Sequence, residues 1–218
     1  MEFLLAALCG FFLGRSIGGR AGGYQPQNAS ESEVRATLAR HFGAPDYHLM
    51  NHVTLPIPGG TTQIDHLVVS RSGVFVIETK QYRGWIFANP TASTWTQVFR
   101  RGRFRFQNPL HQNHGHVAAV RAALDFLPAE HVIPVVVFTG RPEFKTAMPS
   151  GVYDLEGLVG FVQAMRADRL SANRLQFCVG RLETLRLALT EQTDVEHAAS
   201  VQRRLWYRAL RSGGSRGR

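Results

Sequence analysis

The segment from Gln63 to Lys80 constrains the fold of this chain more than any other. Two runs of apolar, largely β-branched residues lie on either side of Arg71-Ser72-Gly73. Short apolar runs separated by turn residues predict two strands joined by a tight turn. The segment is therefore predicted to form a β-hairpin, and a hairpin fixes which residues face each other.

A loop centred on Arg71 and Ser72 sets the register of this hairpin. The predicted cross-strand pairs are Val69 with Val74, Leu67 with Val76, and Asp65 with Glu78. Directly opposed residues have Cβ atoms about 4.5–5.5 Å apart, and like charges at that distance are destabilising. Lys80 follows Glu78 by two positions, so its ammonium group lies on the same face as both acids. The hairpin thus predicts two carboxylates and one ammonium group at one site.

Such a site retains negative charge and suits a hard divalent cation. Mg²⁺ binds oxygen ligands and typically uses one or two carboxylates with waters and substrate phosphates. Lysine is rare in this chain: of 25 basic residues, only Lys80 and Lys145 are lysines. A lysine differs from an arginine in its compact charge and adjustable pKa. The pattern suggests metal-assisted phosphodiester hydrolysis, and the alternative is a solvated charge cluster on an exposed strand.

A wider set of residues follows the same order as a known family. The set comprises Glu33, Asp65, Glu78-Thr79-Lys80, Gly84-Trp85-Ile86, Trp95, Asn108-Pro109, Gln112 and His116. It resembles the nuclease-related domain (NERD) family of the PD-(D/E)xK nuclease superfamily, over about residues 30–140. The resemblance implies an α/β fold with a restriction-endonuclease-like core, in which helices flank a central mixed β-sheet.

The resemblance also implies roles for individual residues. Asp65 and Glu78 would bind Mg²⁺, with Mn²⁺ as a possible substitute, and Lys80 would act on the attacking water. Glu33 would be the acid on the first helix, and Gln112 the polar residue on the helix after the hairpin. Ser30 and Glu33 also have capping-box spacing, so Glu33 has an alternative role at the helix N-terminus. A binding module for nucleic acid or protein, without turnover, is the alternative function.

A helix is predicted to begin at Asn108 and Pro109, because proline is favoured in the first turn. Gln112 and His116 are four residues apart and share one helical face, which is expected to turn toward the catalytic sheet. His111, His114 and His116 invite a zinc site, but their spacing does not converge well on one face. Zinc is therefore not expected here.

Arginines alternate with aromatic residues between Trp95 and Phe106. The arginines are Arg100, Arg101, Arg103 and Arg105, and they interleave with Phe99, Phe104 and Phe106. Aromatic rings can stack on bases while arginines contact phosphates. The same alternation fits a half-buried hairpin turning at Arg101-Gly102, and the two interpretations are compatible. The net charge of +9 favours a phosphate-rich partner, for which DNA is expected and RNA is left open.

The N-terminus contains an uninterrupted run of apolar and small residues from Phe3 to Leu13. This run is short for a spanning helix, which needs about 17–25 residues. Arg15 and Arg20 follow it, so the positive-inside rule would place the remainder of the chain in the cytoplasm. A membrane-anchored protein with a cytoplasmic nuclease domain is expected. A cleaved signal or a buried N-terminus is the alternative.

The predicted organisation has four parts. Residues 1–29 form the apolar segment and a linker, and residues 30–150 form the nuclease core. Residues 151–211 form a helical extension, and residues 212–218 a basic flexible tail. The helical extension either completes the packing of the core or forms a partner surface.

Overall fold

Helices flank two β-sheets in the computed structural model, which describes residues 27–190, 193 and 195–204. The elements begin with α1 (Gln27–His41), β1 (Tyr47–Ile57), β2 (Gly60–Ser70), β3 (Gly73–Gln81), β4 (Trp85–Phe87), β5 (Thr94–Phe99), β6 (Gly102–Gln107) and α2 (Pro109–Ala123). They continue with a short 3-10 helix (Ala129–His131), β7 (Val132–Thr139), β8 (Glu143–Phe144), β9 (Val152–Tyr153), α3 (Leu155–Ala164) and α4 (Ala172–Leu185). Residues 195–204 are also helical.

The larger sheet has the strand order β1-β2-β3-β7-β9. Its first three strands are antiparallel, whereas β7 runs parallel to both β3 and β9. The smaller sheet has the order β6-β5-β4-β8, with only the β4–β8 pair parallel. Helices flanking mixed sheets confirm the predicted α/β class and are consistent with a restriction-endonuclease-like fold.

The predicted hairpin is formed by β2 and β3, with Arg71 and Ser72 in the turn. Val69 pairs with Val74 and Leu67 with Val76, which confirms the predicted register. The central strands read as continuous apolar runs because both faces of the sheet are covered. One face packs against α2 and α4, and the other against α1 and α3.

The segment after residue 150 belongs to the same core. β9 extends the larger sheet beside β7. Leu158 and Val162 of α3, and Cys178 and Leu182 of α4, are buried against the sheet. Of the two roles foreseen for the helical extension, α3 and α4 therefore perform the first and complete the packing. Residues 205–218 lie outside the described part of the chain.

The start of α1 differs from the prediction. Ser30 lies inside α1, and its Oγ is 2.7 Å from Oγ1 of Thr139 on β7, with both residues buried. The predicted capping box of Ser30 and Glu33 is therefore wrong. The hydroxyl of Ser30 forms a hydrogen bond between α1 and the larger sheet, and it does not cap the helix N-terminus.

The predicted membrane localisation is also corrected. Among the described residues, no helix is both long and apolar enough to cross a bilayer. This finding contradicts the prediction of a membrane-anchored protein. The apolar run from residue 3 to residue 13, on which that prediction depended, lies outside the described residues.

Candidate active site

The site begins where the β2–β3 ladder ends. The last residues paired between these strands are His66 and Ile77. The next residues are Asp65 and Glu78, which were predicted to pair across the hairpin but lie just beyond the last pair of the ladder. Glu78 instead aligns with Val136 of β7 on the other side of β3. In place of a ladder bond, Oδ2 of Asp65 accepts a hydrogen bond from the backbone N–H of Thr79 at 2.7 Å. The carboxylate thus satisfies a backbone donor that the ladder no longer reaches.

Glu78 and Lys80 form a buried ion pair, with side chains only 3% and 8% exposed. Oε1 of Glu78 lies 2.5 Å from Nζ of Lys80, which also donates to Oε1 of Gln112 at 2.9 Å. Burial alone would lower the pKa of Lys80, but the Glu78 and Asp65 carboxylates raise it above its ordinary value. Lys80 is therefore held in the charged form.

The second oxygen of Glu78 faces α2. Oε2 of Glu78 lies 3.0 Å from Nε2 of His116, and Nδ1 of His116 lies 2.7 Å from Oγ1 of Thr62. A proton on Nε2 suits the facing carboxylate, and Nδ1 then accepts from the Thr62 hydroxyl. Burial would raise the pKa of Glu78, but Lys80 and His116 lower it to about 2. Glu78 is therefore ionised.

Glu31, at the start of α1, is near enough to the site for its charges to affect the pKa of the Glu31 carboxyl. Burial raises the pKa of Glu31, and the negative charge of Glu78 adds to this effect, while His52 and Lys80 oppose it. Oε2 of Glu31 lies 3.3 Å from Nδ1 of His52. Glu33, predicted as the helix-borne acid, is exposed on α1. Of these two acids of α1, Glu31 is therefore the one whose pKa is affected by Glu78 and Lys80.

A signal for Glu31 exists in the sequence. Residues three and seven positions after it, Val34 and Leu38, are fully buried in the core, and this spacing marks one helical face. Glu31 therefore continues the buried stripe of α1 at its N-terminal end. The capping-box pattern at Ser30 and Glu33 obscured this signal. It predicts that the helix begins at Ser30, and it draws attention to Glu33 instead of Glu31.

His52 also approaches this cluster and was not predicted. It has a positive φ of 51°, which is unusual for a residue with a side chain. In β1, the neighbouring Asn51 pairs with His66, whose Nδ1 lies 2.7 Å from the Asn51 Oδ1. Burial lowers the pKa of His66 to about 4, and the nearby His52 and Arg35 act in the same direction. No motif in the sequence signals these contacts.

The carboxylates of the site repel one another. Burial raises the pKa of Asp65 well above its ordinary value, and the negative charges of Glu78 and Glu31 raise it further. The single ammonium of Lys80 and the Thr79 N–H are insufficient to reverse this shift. A divalent cation beside Asp65 and Glu78 would relieve the repulsion, so the donor chemistry fits Mg²⁺.

The metal ligands would be few. Within the part of the chain that the structure describes, no group of three or more His, Cys, Asp or Glu side chains is arranged to hold a metal ion. Two carboxylates with waters and phosphate oxygens remain compatible with Mg²⁺, which seldom uses a complete protein cage. His111 and His114 are exposed on α2, whereas His116 is buried.

The predicted nucleic-acid arginines occupy the β5–β6 hairpin. Arg103 and Arg105 are exposed on β6, alternating with Phe104 and the buried Phe106, as expected for a half-buried hairpin. The turn lies one residue earlier than predicted, since Phe99 pairs with Gly102. Arg100 and Arg101 form the exposed turn, and Arg100 has a φ of 54°. None of these four arginines is among the residues that contact Asp65, Glu78 or Lys80.

Comparisons with known proteins identify the family of this chain. The family described as nuclease-related domain matches residues 26–139, slightly more than half of the chain. The uncharacterized protein pXO1-01 of Bacillus anthracis is 43% identical over 93 residues, which are 42% of this chain and 43% of that protein. The chain therefore spans less than half the length of this relative. No solved structure shows significant similarity. The chain belongs to the nuclease-related domain family, whose general context is the PD-(D/E)xK nuclease superfamily.

Proposed function

We propose that this chain is a metal-dependent nuclease that hydrolyses phosphodiester bonds of DNA. The observation that carries the proposal is the position of the Asp65 and Glu78 carboxylates at the end of the β2–β3 ladder, where Glu78 is paired with the buried ammonium of Lys80. We assign the role of the acid on α1 to Glu31, whose raised pKa reflects the nearby charge of Glu78. Membership of the nuclease-related domain family supports a nuclease-related function. The net charge of +9 supports a polyanionic substrate.

Asp65 and Glu78 are the proposed metal ligands. When bound there, Mg²⁺ or Mn²⁺ would supply positive charge to a phosphate oxygen and make a bound water more acidic. Asp65 is oriented by the Thr79 N–H, and Glu78 by Lys80 and His116. These contacts hold both carboxylates in place before any substrate arrives, which reduces the reorganisation that catalysis requires.

Lys80 is the proposed residue for orienting the attacking water and stabilising negative charge on the phosphate. Its ammonium group has three N–H donors. Two of them are directed to Glu78 and Gln112, which fix the position of the nitrogen. The third donor can reach a water or a phosphate oxygen. Gln112 therefore acts as a positioning residue, since its contact is with Lys80.

The proposal is tested by digesting linear, circular and single-stranded DNA with the full chain in Mg²⁺, in Mn²⁺ and in EDTA. Cleavage is expected with either metal and not in EDTA. Asp65→Asn and Glu78→Gln should each abolish cleavage while near-ultraviolet circular dichroism shows an intact fold. Undiminished cleavage by either variant would remove the assignment.

A binding module without turnover is the second candidate. One observation favours it: Oε1 of Glu78 is already paired with Lys80, so the charge of this carboxylate is balanced without a metal. In that case the full chain would bind DNA but cleave none of these substrates with either metal. DNA binding would then be unaffected by EDTA and by Asp65→Asn.

A further inference from the structure

One face of the smaller sheet exposes two aromatic rings. Trp85 and Phe87 of β4 are 47% and 37% exposed, whereas Ile86 between them is fully buried. Strand alternation explains this difference, because successive side chains point to opposite faces. The inner face packs Ile86, Trp95 and Phe106 against Phe138 in the core. Trp85 and Phe87 therefore belong to an outer face, which we call the aromatic face.

Basic residues share the aromatic face. Directly paired residues of adjacent strands point to the same side. The pairing gives two rows across the sheet: Trp85, Val98 and Arg103 in one, and Phe87, Thr96 and Arg105 in the other. Both arginines are exposed. The aromatic face thus presents rings on one strand and guanidinium groups two strands away.

The second lysine of the chain completes this arrangement. Nζ of Lys145 lies 4.8 Å from the centroid of the Trp85 ring, a cation–π contact. Lys145 also pairs with Glu143, which aligns with Trp85 in the neighbouring strand β8. The aromatic face therefore carries three cationic groups and one carboxylate. A surface with this charge is complementary to a polyanion.

The aromatic face lies near the candidate active site along the chain. Trp85 follows Lys80 by five residues, so their Cα atoms are separated by at most about 18 Å, the reach of an extended chain. β8 similarly follows β7, in which Phe138 aligns with Lys80. The smaller sheet is thus connected to the ends of β3, which contains Lys80, and of β7, which pairs with β3 beside Lys80.

We propose that the aromatic face binds a single-stranded segment of DNA, with unpaired bases stacked on Trp85 and Phe87 and phosphates at Arg103 and Arg105. The choice of DNA rests on the proposed function. Bases in a duplex are stacked on one another and present only their edges in the grooves, whereas a flat exposed ring requires the face of an unpaired base. The aromatic face therefore favours single strands, or unpaired regions, as the substrate class.

Binding is measured by fluorescence anisotropy on the full chain in EDTA, so that cleavage does not contribute. The probes are an oligothymidylate and a duplex, each of about 20 nucleotides per strand, which exceeds the site size of one such domain. Trp85→Ala and Phe87→Ala should each weaken single-strand binding about tenfold, the scale of losing one base–aromatic stack. Duplex binding should change less than about twofold by the same reasoning.

Three variants serve as controls for the aromatic rings. Trp85→Phe keeps a ring and should restore near-native single-strand binding. Phe177→Ala removes an aromatic side chain that is 60% exposed on α4, and it should leave binding unchanged. Native protein should lose tryptophan fluorescence on binding the oligothymidylate, and Trp85→Phe should remove most of that change.

The arginines are tested by the salt dependence of binding. Arg103→Gln and Arg105→Gln should each reduce the slope of log Kd against log salt by about 0.7, the value for one phosphate contact on a single strand. Arg174→Gln, at an exposed arginine of α4, is the matched control and should leave the slope unchanged.

Several results would overturn the inference. They are unchanged single-strand affinity in the Trp85 and Phe87 variants, equal losses on the duplex, or tighter binding of an RNA of the same length. These outcomes are distinguishable from failure of the proposed function. A protein that binds oligothymidylate through the aromatic face but cleaves nothing in Mg²⁺ retains this inference and loses only the nuclease activity.

Discussion

The Asp65 carboxylate accepts a hydrogen bond from the backbone N–H of Thr79 at 2.7 Å, at the point where the strands of the hairpin stop pairing. This contact keeps Asp65 close to Glu78, although both are acids. The pKa of Asp65 is consequently raised, first by burial and then by Glu78 and Glu31. The Asp65 carboxylate thus destabilises the folded state. Groups with perturbed pKa values of this kind are often found at functional sites.

Asp65→Asn is expected to stabilise the protein at pH 7 in EDTA, by up to about 1 kcal/mol, the scale of one relieved like-charge contact. A carboxyl with a raised pKa in the folded state contributes stability at low pH, and this contribution is lost as the pH rises through that pKa. At pH 7, above the ordinary pKa of an aspartate, this carboxyl is therefore a cost to the folded state that asparagine removes. Thermal unfolding measures the change, with Asp125→Asn, at an exposed position, as the control. A lower melting temperature for Asp65→Asn would contradict this account.

Lys80→Arg separates the two roles of this lysine. An arginine can balance Glu78, since guanidinium groups pair readily with carboxylates. Its larger planar head should displace a water placed by Lys80, and a misplacement of about 1 Å can cost on the order of 10²-fold in rate. We expect at least a tenfold loss of cleavage, equivalent to about 1.4 kcal/mol, with DNA binding retained. Native turnover by this variant would reduce Lys80 to a counter-charge.

Glu31→Gln and Glu33→Gln form a matched pair on α1. The charges of Glu78 and Lys80 affect the pKa of Glu31, whereas Glu33 is exposed. Cleavage by Glu31→Gln should fall about tenfold or more, as expected for a charge that orients the reacting groups. Glu33→Gln should cleave like the native chain. Equal losses in both variants would show that the assignment to Glu31 is incorrect.

Protonation of His66 should destabilise the fold in mild acid. Its pKa is lowered to about 4 in the folded state, so the stability that depends on its neutral form is lost as the pH falls below its ordinary value of 6.5. Between pH 6.5 and pH 4.5 the loss expected from His66 is about 2–3 kcal/mol. The raised pKa values of Asp65 and Glu31 act in the opposite direction as the pH falls. Glu78, with a pKa of about 2, loses its own contribution only below its ordinary value of 4.5, outside this window.

Urea unfolding at several pH values measures this dependence. His66→Asn should remove the His66 part of the change in unfolding free energy over the window, whatever its effect on absolute stability. His41→Gln, at an exposed position on α1, should keep the native dependence. The same pH dependence in the native protein and in His66→Asn would refute the role of His66.

Local patterns in the sequence were sufficient for several features. The turn at Arg71 and Ser72 specified the hairpin register, because a two-residue turn leaves one way to align the apolar faces of β2 and β3. The spacing of Gln112 and His116 correctly indicated that they share a helical face, since both contact groups of the site. These predictions depended on periodicity within one element or one hairpin.

Other features depended on how separate elements meet. The spacing of Ser30 and Glu33 favoured a capping box, but the contact between Ser30 and Thr139 lies between residues far apart in the chain. In the sequence, Trp85 was only one residue of the family motif. Its exposure depends on which face of β4 packs against the core. The local sequence pattern identifies neither Thr139, the partner of Ser30, nor the core residues that pack against β4.

The sequence by itself determined the β2–β3 hairpin, the placement of Asp65, Glu78 and Lys80 on one face, and membership of the nuclease-related domain family. Only the tertiary structure decided that Glu31 is half-buried on α1 while Glu33 is exposed, and that Trp85 and Phe87 of the aromatic face are exposed. The physical reason is that alternation and helical period fix which side chains share a face. The packing of one element against another decides which of those faces is buried.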